Sequence, residues 1–381
     1  MRKQVLPLLF ITNFTLILGF SIVFPLLPFY AKEFGASTLQ ISILFAAFPL
    51  TQFLFSPLWG DISDRIGRKP IILFSLLGSA LSFFLFGLAQ SYWHLILIRL
   101  IHGLVSAAGF SAAQAAGADI STKSERAYVM ATLAASFSLA IAAGPAFGGV
   151  LSQVSIHFPF FVSAAIAVAN LVFVYLLVPE TIKERTKKLD LFKGFVFESI
   201  FLALKSRLAP MYLMSSVSFL SFGIVGVAYP ILALERFNLG PVQVGYIFAF
   251  SGLVSALIQA FIVGKVIEKY GEAKVLRAGL VFMFLSMALV AFAFSEVLSA
   301  GVLAIMSVGT ALINPANNSY ISKRSKDQGL ALGTLNSFGS LSRFVSPIVV
   351  GSLYQVWGPA TTFLATAAVV ILGYLLSLRI E

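Results

Sequence analysis

Arg99 and His102 lie three residues apart in an apolar run, so that a helix would place a fixed cation and a titratable ring on one face. Phe110 and Gln114 continue this face toward the end of the run. A guanidinium group binds oxyanions, and an imidazole ring exchanges protons near neutral pH. Ionisable groups inside apolar segments are costly and usually functional. We therefore predict that these four residues line a ligand cavity, with His102 as the candidate proton carrier.

Arg343 is the second cation inside an apolar run, and helical spacing places it on a stripe with Asn336 and Ser340. We expect this stripe to line the same cavity. Asn13 in the first apolar run and Tyr229 in the seventh complete the predicted lining.

Other kinds of chemistry lack their usual residues. The chain has no cysteine, and no Asp or Glu stands near the middle of an apolar run. No pair of histidines has metal-ligand spacing, and no phosphate-binding glycine loop occurs. An intramembrane enzyme with two Asp-rich loops would find one such loop at Asp61 and Asp64, but no second acidic cluster. We expect neither an enzyme nor an ATP-driven pump, and no cofactor or metal.

The composition places most of the chain in lipid. Of 381 residues, 59% are hydrophobic and 11% charged, and the mean hydropathy is +0.96. A soluble protein carries about 25% charged residues, which this chain could not supply for a water-covered surface. We expect an all-α integral membrane protein, because the apolar runs are long and show no strand-like alternation.

The sequence predicts twelve transmembrane helices, each near the length of about 20 residues that a bilayer requires. The predicted spans are 5–31, 39–60, 70–90, 92–117, 127–152, 158–179, 209–234, 241–264, 274–295, 297–320, 328–355 and 359–378.

The basic residues define an orientation. With a cytoplasmic N-terminus, 22 of the 26 Lys and Arg residues fall on the cytoplasmic side and only Lys32 and Arg236 fall outside. This asymmetry predicts that both termini are cytoplasmic. The net charge of +11 is then explained by this topology and by attraction to anionic lipids. We therefore expect no nucleic-acid partner.

The two halves of the chain repeat each other. A shift of 202 residues aligns identical residues between segments 132–154 and 334–356, and a shift of 203 to 204 aligns others between 40–60 and 243–264. We predict a six-helix bundle at 1–180, a cytoplasmic linker at 181–208 and a second bundle at 209–381. Parallel repeats of this kind place a substrate site near mid-bilayer. One chain supplies both halves, so we expect a monomer.

The segment from Gly60 to Pro70 reads G-D-I-S-D-R-I-G-R-K-P and resembles the signature G-D-x-S-D-R-x-G-R-[RK] of the major facilitator superfamily. A weaker copy occupies 264–271. The functional positions of the motif are Gly60, Asp61, Asp64, Arg65, Gly67, Arg68 and Lys69. The resemblance implies a cytoplasmic latch between the two halves. From the residues alone, we expect Gly60 to allow close helix packing, Gly67 to permit a tight turn, and the basic residues to pair with Asp119 or Glu125.

Two further elements strengthen this resemblance. Arg99 with Gly103 is similar to the family's second motif, and Gly144, Pro145, Gly148 and Gly149 are similar to the G-P-x-x-G-G element of its antiporters. The small residues predict a close helix contact. That contact either allows the two helices to slide past each other during transport, which we call a sliding seam, or is static packing.

The resemblance implies a secondary transporter of the plasma membrane that works by alternating access and exports hydrophobic or amphipathic compounds in exchange for protons. The missing mid-membrane carboxylate departs from the pattern of the drug:proton antiporters. An alternative is therefore a uniporter or exchanger of an organic anion that uses Arg99 and Arg343. Two repeats that have diverged in sequence fit a transporter better than they fit a channel. The expected partners are a small-molecule substrate, protons and membrane lipids.

Overall fold

The computed structural model describes residues 2–122, 125–182, 201, 203–206, 208–325 and 328–378. Most of the predicted linker lies outside the described residues, and so do Lys123, Lys326 and Arg379 of the basic pattern. Throughout the part of the chain that is described, the secondary structure is helical and contains no strand, which confirms the all-α prediction.

Seven helices precede the predicted linker: α1 (Arg2–Val23), α2 (Leu27–Glu33), α3 (Thr38–Ile66), α4 (Arg68–Gly87), α5 (Tyr92–Asp119), α6 (Arg126–Leu151) and α7 (Phe158–Leu177). The first predicted span is divided between α1 and α2. Pro25 and Pro28 bring no backbone N–H to the ladder at this point, so the helix is interrupted there.

The second half contains α8 (Ala209–Gly223), a π-helical turn (Ile224–Ala228), α9 (Tyr229–Phe237), α10 (Pro241–Phe261), α11 (Val263–Tyr270), α12 (Glu272–Ala291), α13 (Glu296–Arg324) and α14 (Gln328–Ser377). Gly358, with φ of +77°, divides α14 into two helices. Eleven helical segments of the described chain are long and apolar enough to cross a membrane, and one of them spans this break. Counting it as two confirms the twelve predicted spans.

The described helices form two compact units, Met1–Phe34 with Ala47–Lys193 and Gly35–Ala46 with Gly194–Glu381. In the first unit, α1 packs on α6 and α7, and α4 packs on α5 and α7. Its core includes Leu9, Leu76 and Val174, all fully buried. In the second unit, α12 packs on α13 and α14, and α8 packs on α14.

The first turns of α3 belong to the second unit. The backbone N–H of Leu39 donates to Oε1 of Gln355 at 2.8 Å, and a side chain added at Gly351 would overlap Ser42. The sequence-based domain boundaries stay a prediction beside this division.

The repeat is visible in how corresponding helices begin. Gly67 and Gly271, 204 residues apart, both have positive φ and precede α4 and α12. At the same separation, Ser91 and Ser295 both accept a hydrogen bond from a backbone N–H in the first turn of the following helix, α5 and α13. The middle helices of the two halves therefore share one register.

Candidate functional site

The motif 60–70 is more helical than its sequence suggests. Helix α3 continues to Ile66, so only Gly67 separates it from α4. Gly67 has φ of +120°, which confirms the expected tight turn. The expectation that Gly60 allows close packing is wrong, because no described atom lies within 4 Å of a Cβ placed there. Polar residues at 61–65 resemble a loop in sequence but form the last turns of a long helix.

Arg68 is the centre of the motif's ion-pair network. Its guanidinium contacts Oδ1 of Asp64 at 2.5 Å and Oδ2 of Asp119 at 2.9 Å, and it donates to Oγ of Ser63 at 3.1 Å. Arg68 is buried, while both acids remain partly exposed. The pairing with Asp119 expected from the sequence is therefore present and joins the start of α4 to the end of α5.

Glu180 completes this network, and sequence reasoning missed it. Its carboxylate accepts the backbone N–H groups of Arg68 at 3.0 Å and Lys69 at 3.2 Å, and also those of the two residues that follow it. Those N–H groups of Arg68 and Lys69 carry the positive end of the α4 dipole. A Cβ at Gly67 would overlap Oε2 of this carboxylate, so glycine leaves room for the cap as well as for the turn.

The remaining members of the motif differ in their contacts. Lys69 donates to the carbonyl oxygen of Tyr175 at 2.8 Å and lies over its ring. Asp61 is half-buried and makes no hydrogen bond or ion pair with the described residues. Hydrogen-bond partners within the first unit thus hold Arg68 and Lys69 but not Asp61.

The second half carries an ion pair at the corresponding place. Oε1 of Glu272, the first residue of α12, contacts Nζ of Lys323 at 2.5 Å and accepts a hydrogen bond from Ser319 at 3.0 Å. This pair joins the start of α12 to the end of α13. Both residues lie outside the weaker copy of the motif at 264–271, so the sequence pattern did not indicate this pair.

The glycines of α6 contact α1 directly. Side chains added at Gly144 or Gly148 would overlap Ser21 and the carbonyl oxygen of Ile22, respectively. Gly149 and Pro145 are also buried. The expected close helix contact is therefore present.

Asn13 belongs to the same contact between α1 and α6. Its side-chain amide donates to the carbonyl oxygen of Leu133 at 3.1 Å and to Oγ of Ser136 at 2.8 Å, and the residue is buried. In this structure it joins two helices, and its predicted place in the cavity remains a prediction.

Arg99 and His102 are buried among aromatic rings. The guanidinium carbon of Arg99 lies 5.4 Å from the ring centre of Phe20 and 5.1 Å from that of Phe48. The His102 ring lies 5.1 Å from Phe48 and 4.6 Å from Phe83, and its Nδ1 has no hydrogen-bond partner in the described chain. The structure thus brings the two predicted residues together in an aromatic surrounding.

Three other predicted residues occupy different settings. Phe110 is 36% exposed and contacts Phe137 edge to face, and Gln114 is half-buried. Tyr229 is fully buried, with its hydroxyl 3.3 Å from Oγ of Ser299. Tyr229 therefore joins α9 to α13, and its role in the predicted cavity stays untested.

Arg343 lies on α14 with the other two residues of its predicted stripe. Its NH2 group donates to Oγ of Ser340 at 2.9 Å, and its guanidinium carbon lies 4.9 Å from the ring centre of Phe219 on α8. Asn336 is exposed two turns earlier on the same helix. Phe219 was absent from the prediction, because no sequence spacing relates it to Arg343.

Comparison with known proteins gives consistent results for the whole chain. The tetracycline resistance protein of class B from Escherichia coli is 29% identical over 345 residues, covering 89% of this chain and 85% of that protein. The quinolone resistance protein NorA of Staphylococcus aureus is 26% identical over 368 residues, covering 96% and 93%.

Solved structures share the fold. The human organic anion transporter MFSD10 superposes with a TM-score of 0.74 at 24% identity, covering 99% of both chains. The nucleoside transporter NupG gives a TM-score of 0.78 at 14% identity, covering 99% of this chain and 100% of that one. These likenesses confirm the predicted two-domain membrane fold.

The Major Facilitator Superfamily sequence model matches this chain twice, over residues 9–215 and again over 211–381. Each match covers about one predicted half, in agreement with the repeated register of the helices. The chain belongs to the Major Facilitator Superfamily of membrane transporters.

Proposed function

We propose that this transporter exports hydrophobic or amphipathic small molecules in exchange for protons, by alternating access of its two halves. The observation that carries the proposal is its similarity, over nearly the whole chain, to two proteins named for resistance to tetracycline and to quinolones. The glycine contact between α1 and α6 supports antiport, since it lies in the element that resembles the antiporter motif.

The same proposal includes the oligomeric state, the membrane, the orientation and the domain boundaries of the protein. The protein works as a monomer in the plasma membrane, with both termini in the cytoplasm, a bundle at 1–180, a linker at 181–208 and a bundle at 209–381. The distribution of Lys and Arg supports this orientation. The ion-pair network around Arg68 then lies at the cytoplasmic surface, where the motif is proposed to act as a latch.

His102 is the proposed proton carrier. It is the titratable residue nearest to Arg99 along the chain, it is buried between Phe48 and Phe83, and its Nδ1 makes no hydrogen bond within the described residues. This nitrogen is buried, so it can exchange a proton in a conformation that admits water to the ring.

Proteoliposomes with an acidic interior test the proposal. Protons leaving down their gradient should drive ethidium into the lumen, and a protonophore should abolish this accumulation. Liposomes with the Asp64→Asn variant provide the matched control, since the loss of the latch carboxylate should slow accumulation without loss of folded protein. Ethidium accumulation that persists with the protonophore, or that equals the rate of empty liposomes, contradicts proton-driven export.

A second candidate function is exchange or uniport of an organic anion. Arg343 favours it, because no carboxylate of the described chain pairs with this intramembrane cation. Liposomes preloaded with 1-naphthoate separate the two functions. Uptake of external naphthoate that the internal anion stimulates, and that a protonophore leaves unchanged, identifies an exchanger.

A further inference from the structure

Arg343 stands at the centre of a long helical run. The run extends from Gln328 to the break at Gly358, so Arg343 is separated from each end by 15 residues. At 1.5 Å per residue, this places it about 22 Å from either end. In a bilayer, a cation at this depth along the helix is far from the lipid headgroups.

The guanidinium group has more hydrogen-bond donors than protein partners. Of its five N–H groups, one donates to Oγ of Ser340, and the face of Phe219 provides a cation–π contact. Within the described residues it makes no other hydrogen bond and no ion pair. Its nitrogens are not among the buried atoms that lack a partner, and the residue is only half-buried. The unused donors therefore keep some accessible surface, which a ligand would need in order to bind them.

No described acidic residue of the second unit forms an ion pair with Arg343. Glu272 pairs with Lys323, and Glu235 accepts a hydrogen bond from the hydroxyl of Tyr354. A guanidinium in a medium of low dielectric binds an anion more strongly than it does in water, and its planar fork matches the two oxygens of a carboxylate.

We propose that Arg343, Ser340 and Phe219 form a subsite for the carboxylate of an amphipathic aromatic substrate. Arg343 binds the carboxylate through two parallel hydrogen bonds, and Ser340 holds the guanidinium in position. Phe219 packs against the aromatic part of the substrate next to its acidic group. Asn336, exposed on the same face of α14, offers an amide to a further polar group. This inference rests on the proposed function and names the class of substrate for that transport.

Binding of matched probes to the purified protein in a neutral detergent tests the subsite. The probes are 1-naphthoate and 1-naphthamide, which share a ring system and differ in charge. The wild type should bind the naphthoate more tightly. Arg343→Gln should weaken naphthoate binding by about tenfold or more, the loss expected when hydrogen bonds to a charged group are removed. It should weaken naphthamide binding much less, because a neutral amide oxygen accepts a weaker hydrogen bond from a guanidinium than a carboxylate does.

Three further variants keep the test independent of folding. Arg343→Lys retains the charge but not the planar fork, so naphthoate affinity should fall between those of the wild type and Arg343→Gln. Ser340→Ala should reduce naphthoate affinity less than either, with no effect on the naphthamide. Lys265→Gln removes an exposed cation of the same unit and should change neither probe. Thermal unfolding of each variant verifies that the protein is folded.

Three outcomes overturn the proposal: equal wild-type affinity for the two probes, naphthoate affinity in Arg343→Gln equal to the wild type, or equal losses for both probes in that variant. Displacement of naphthoate by micellar phosphatidylglycerol would assign the group to a lipid headgroup and overturn it as well. Because the measurement is binding in detergent, it is independent of proton-driven transport. A failure of the proposed function in liposomes is therefore distinguishable from a failure of the subsite.

Discussion

Arg68 and Glu272 occupy corresponding positions 204 residues apart, each at the start of a helix, and they carry opposite charges. Their partners, Asp119 and Lys323, are also 204 residues apart and are likewise exchanged in sign. Each half therefore joins the start of its third spanning helix to the end of its fourth by an ion pair. Both halves therefore have an attraction between opposite charges at this place. The positive and the negative residue have exchanged positions.

The exchange of sign changes what each helix start requires. Glu272 places its own negative charge at the positive end of the α12 dipole. Arg68 places a positive charge at the same end of α4, where Glu180 supplies the missing carboxylate. In α12 the carboxylate of Glu272 itself accepts a hydrogen bond from its own backbone N–H, so this helix start carries its own cap.

The Glu272–Lys323 pair should contribute modestly and cooperatively to stability. The Lys323 side chain is 65% exposed, so we expect Glu272→Gln and Lys323→Gln each to cost about 1 kcal/mol or less in unfolding free energy. The double variant should cost no more than the larger single change, because both remove one interaction.

Exchange of the two residues distinguishes the ion pair from the helix dipole. Glu272→Lys with Lys323→Glu restores attraction but places a cation at the positive end of the α12 dipole and removes the capping carboxylate, so stability should recover only in part. Denaturant unfolding in detergent measures all four variants. Strictly additive single changes, or complete recovery in the exchange, would contradict this account.

Gly67 and Glu180 should act as one unit. Gly67→Ala forces a side chain into a positive φ, at about 1 to 3 kcal/mol, and also displaces the carboxylate of Glu180. After Glu180→Gln, the alanine change should therefore cost less than it does in the wild type. Gly271→Ala is the matched control, because its φ is positive but its surroundings are open. An equal loss of stability at Gly67 and Gly271 would argue against the cap.

The contact between α1 and α6 should tolerate no side chain. Gly148→Leu would overlap the backbone of α1, so we expect loss of transport and a lower unfolding temperature. Gly301→Ala introduces a methyl group where no described atom lies nearby, and it should leave both quantities unchanged. Normal transport in Gly148→Leu would show that the two helices can separate. Loss of transport in a fully stable Gly148→Leu protein would favour a sliding seam over static packing.

A role of His102 in proton coupling can be distinguished from a role in substrate binding by comparing two modes of transport. If the ring carries the coupled proton, His102→Gln should abolish accumulation driven by a pH gradient and leave substrate exchange at equal pH intact. Parallel ethidium assays in the same liposomes measure both. Accumulation at the wild-type rate would exclude His102 as the carrier.

The sequence was sufficient for the twelve spans, because each apolar run is as long as a bilayer requires, and Gly358 separates the last two. It misplaced the end of α3, since four of the five residues from Asp61 to Arg65 are polar but remain helical beyond the apolar run. The sequence did not predict the role of Glu180. This residue binds backbone N–H groups, and such contacts do not require particular side chains at recognisable positions. The sequence repeat did not indicate the Glu272–Lys323 pair. A repeat is recognised by identical residues at corresponding positions, and here the charges are reversed. Phe219 could be associated with Arg343 only through the packing of α8 on α14.

Gly144 and Gly148 have a consequence for how the first half can move. With no side chains between them and α1, the backbones of two helices lie in direct contact, and nothing compressible remains to absorb a change in their separation. Asn13 adds a hydrogen-bonded joint nearer the opposite end of α1. If this contact is static packing, any displacement of α6 during a transport cycle must carry α1 with it, so that the two helices move as one rigid body.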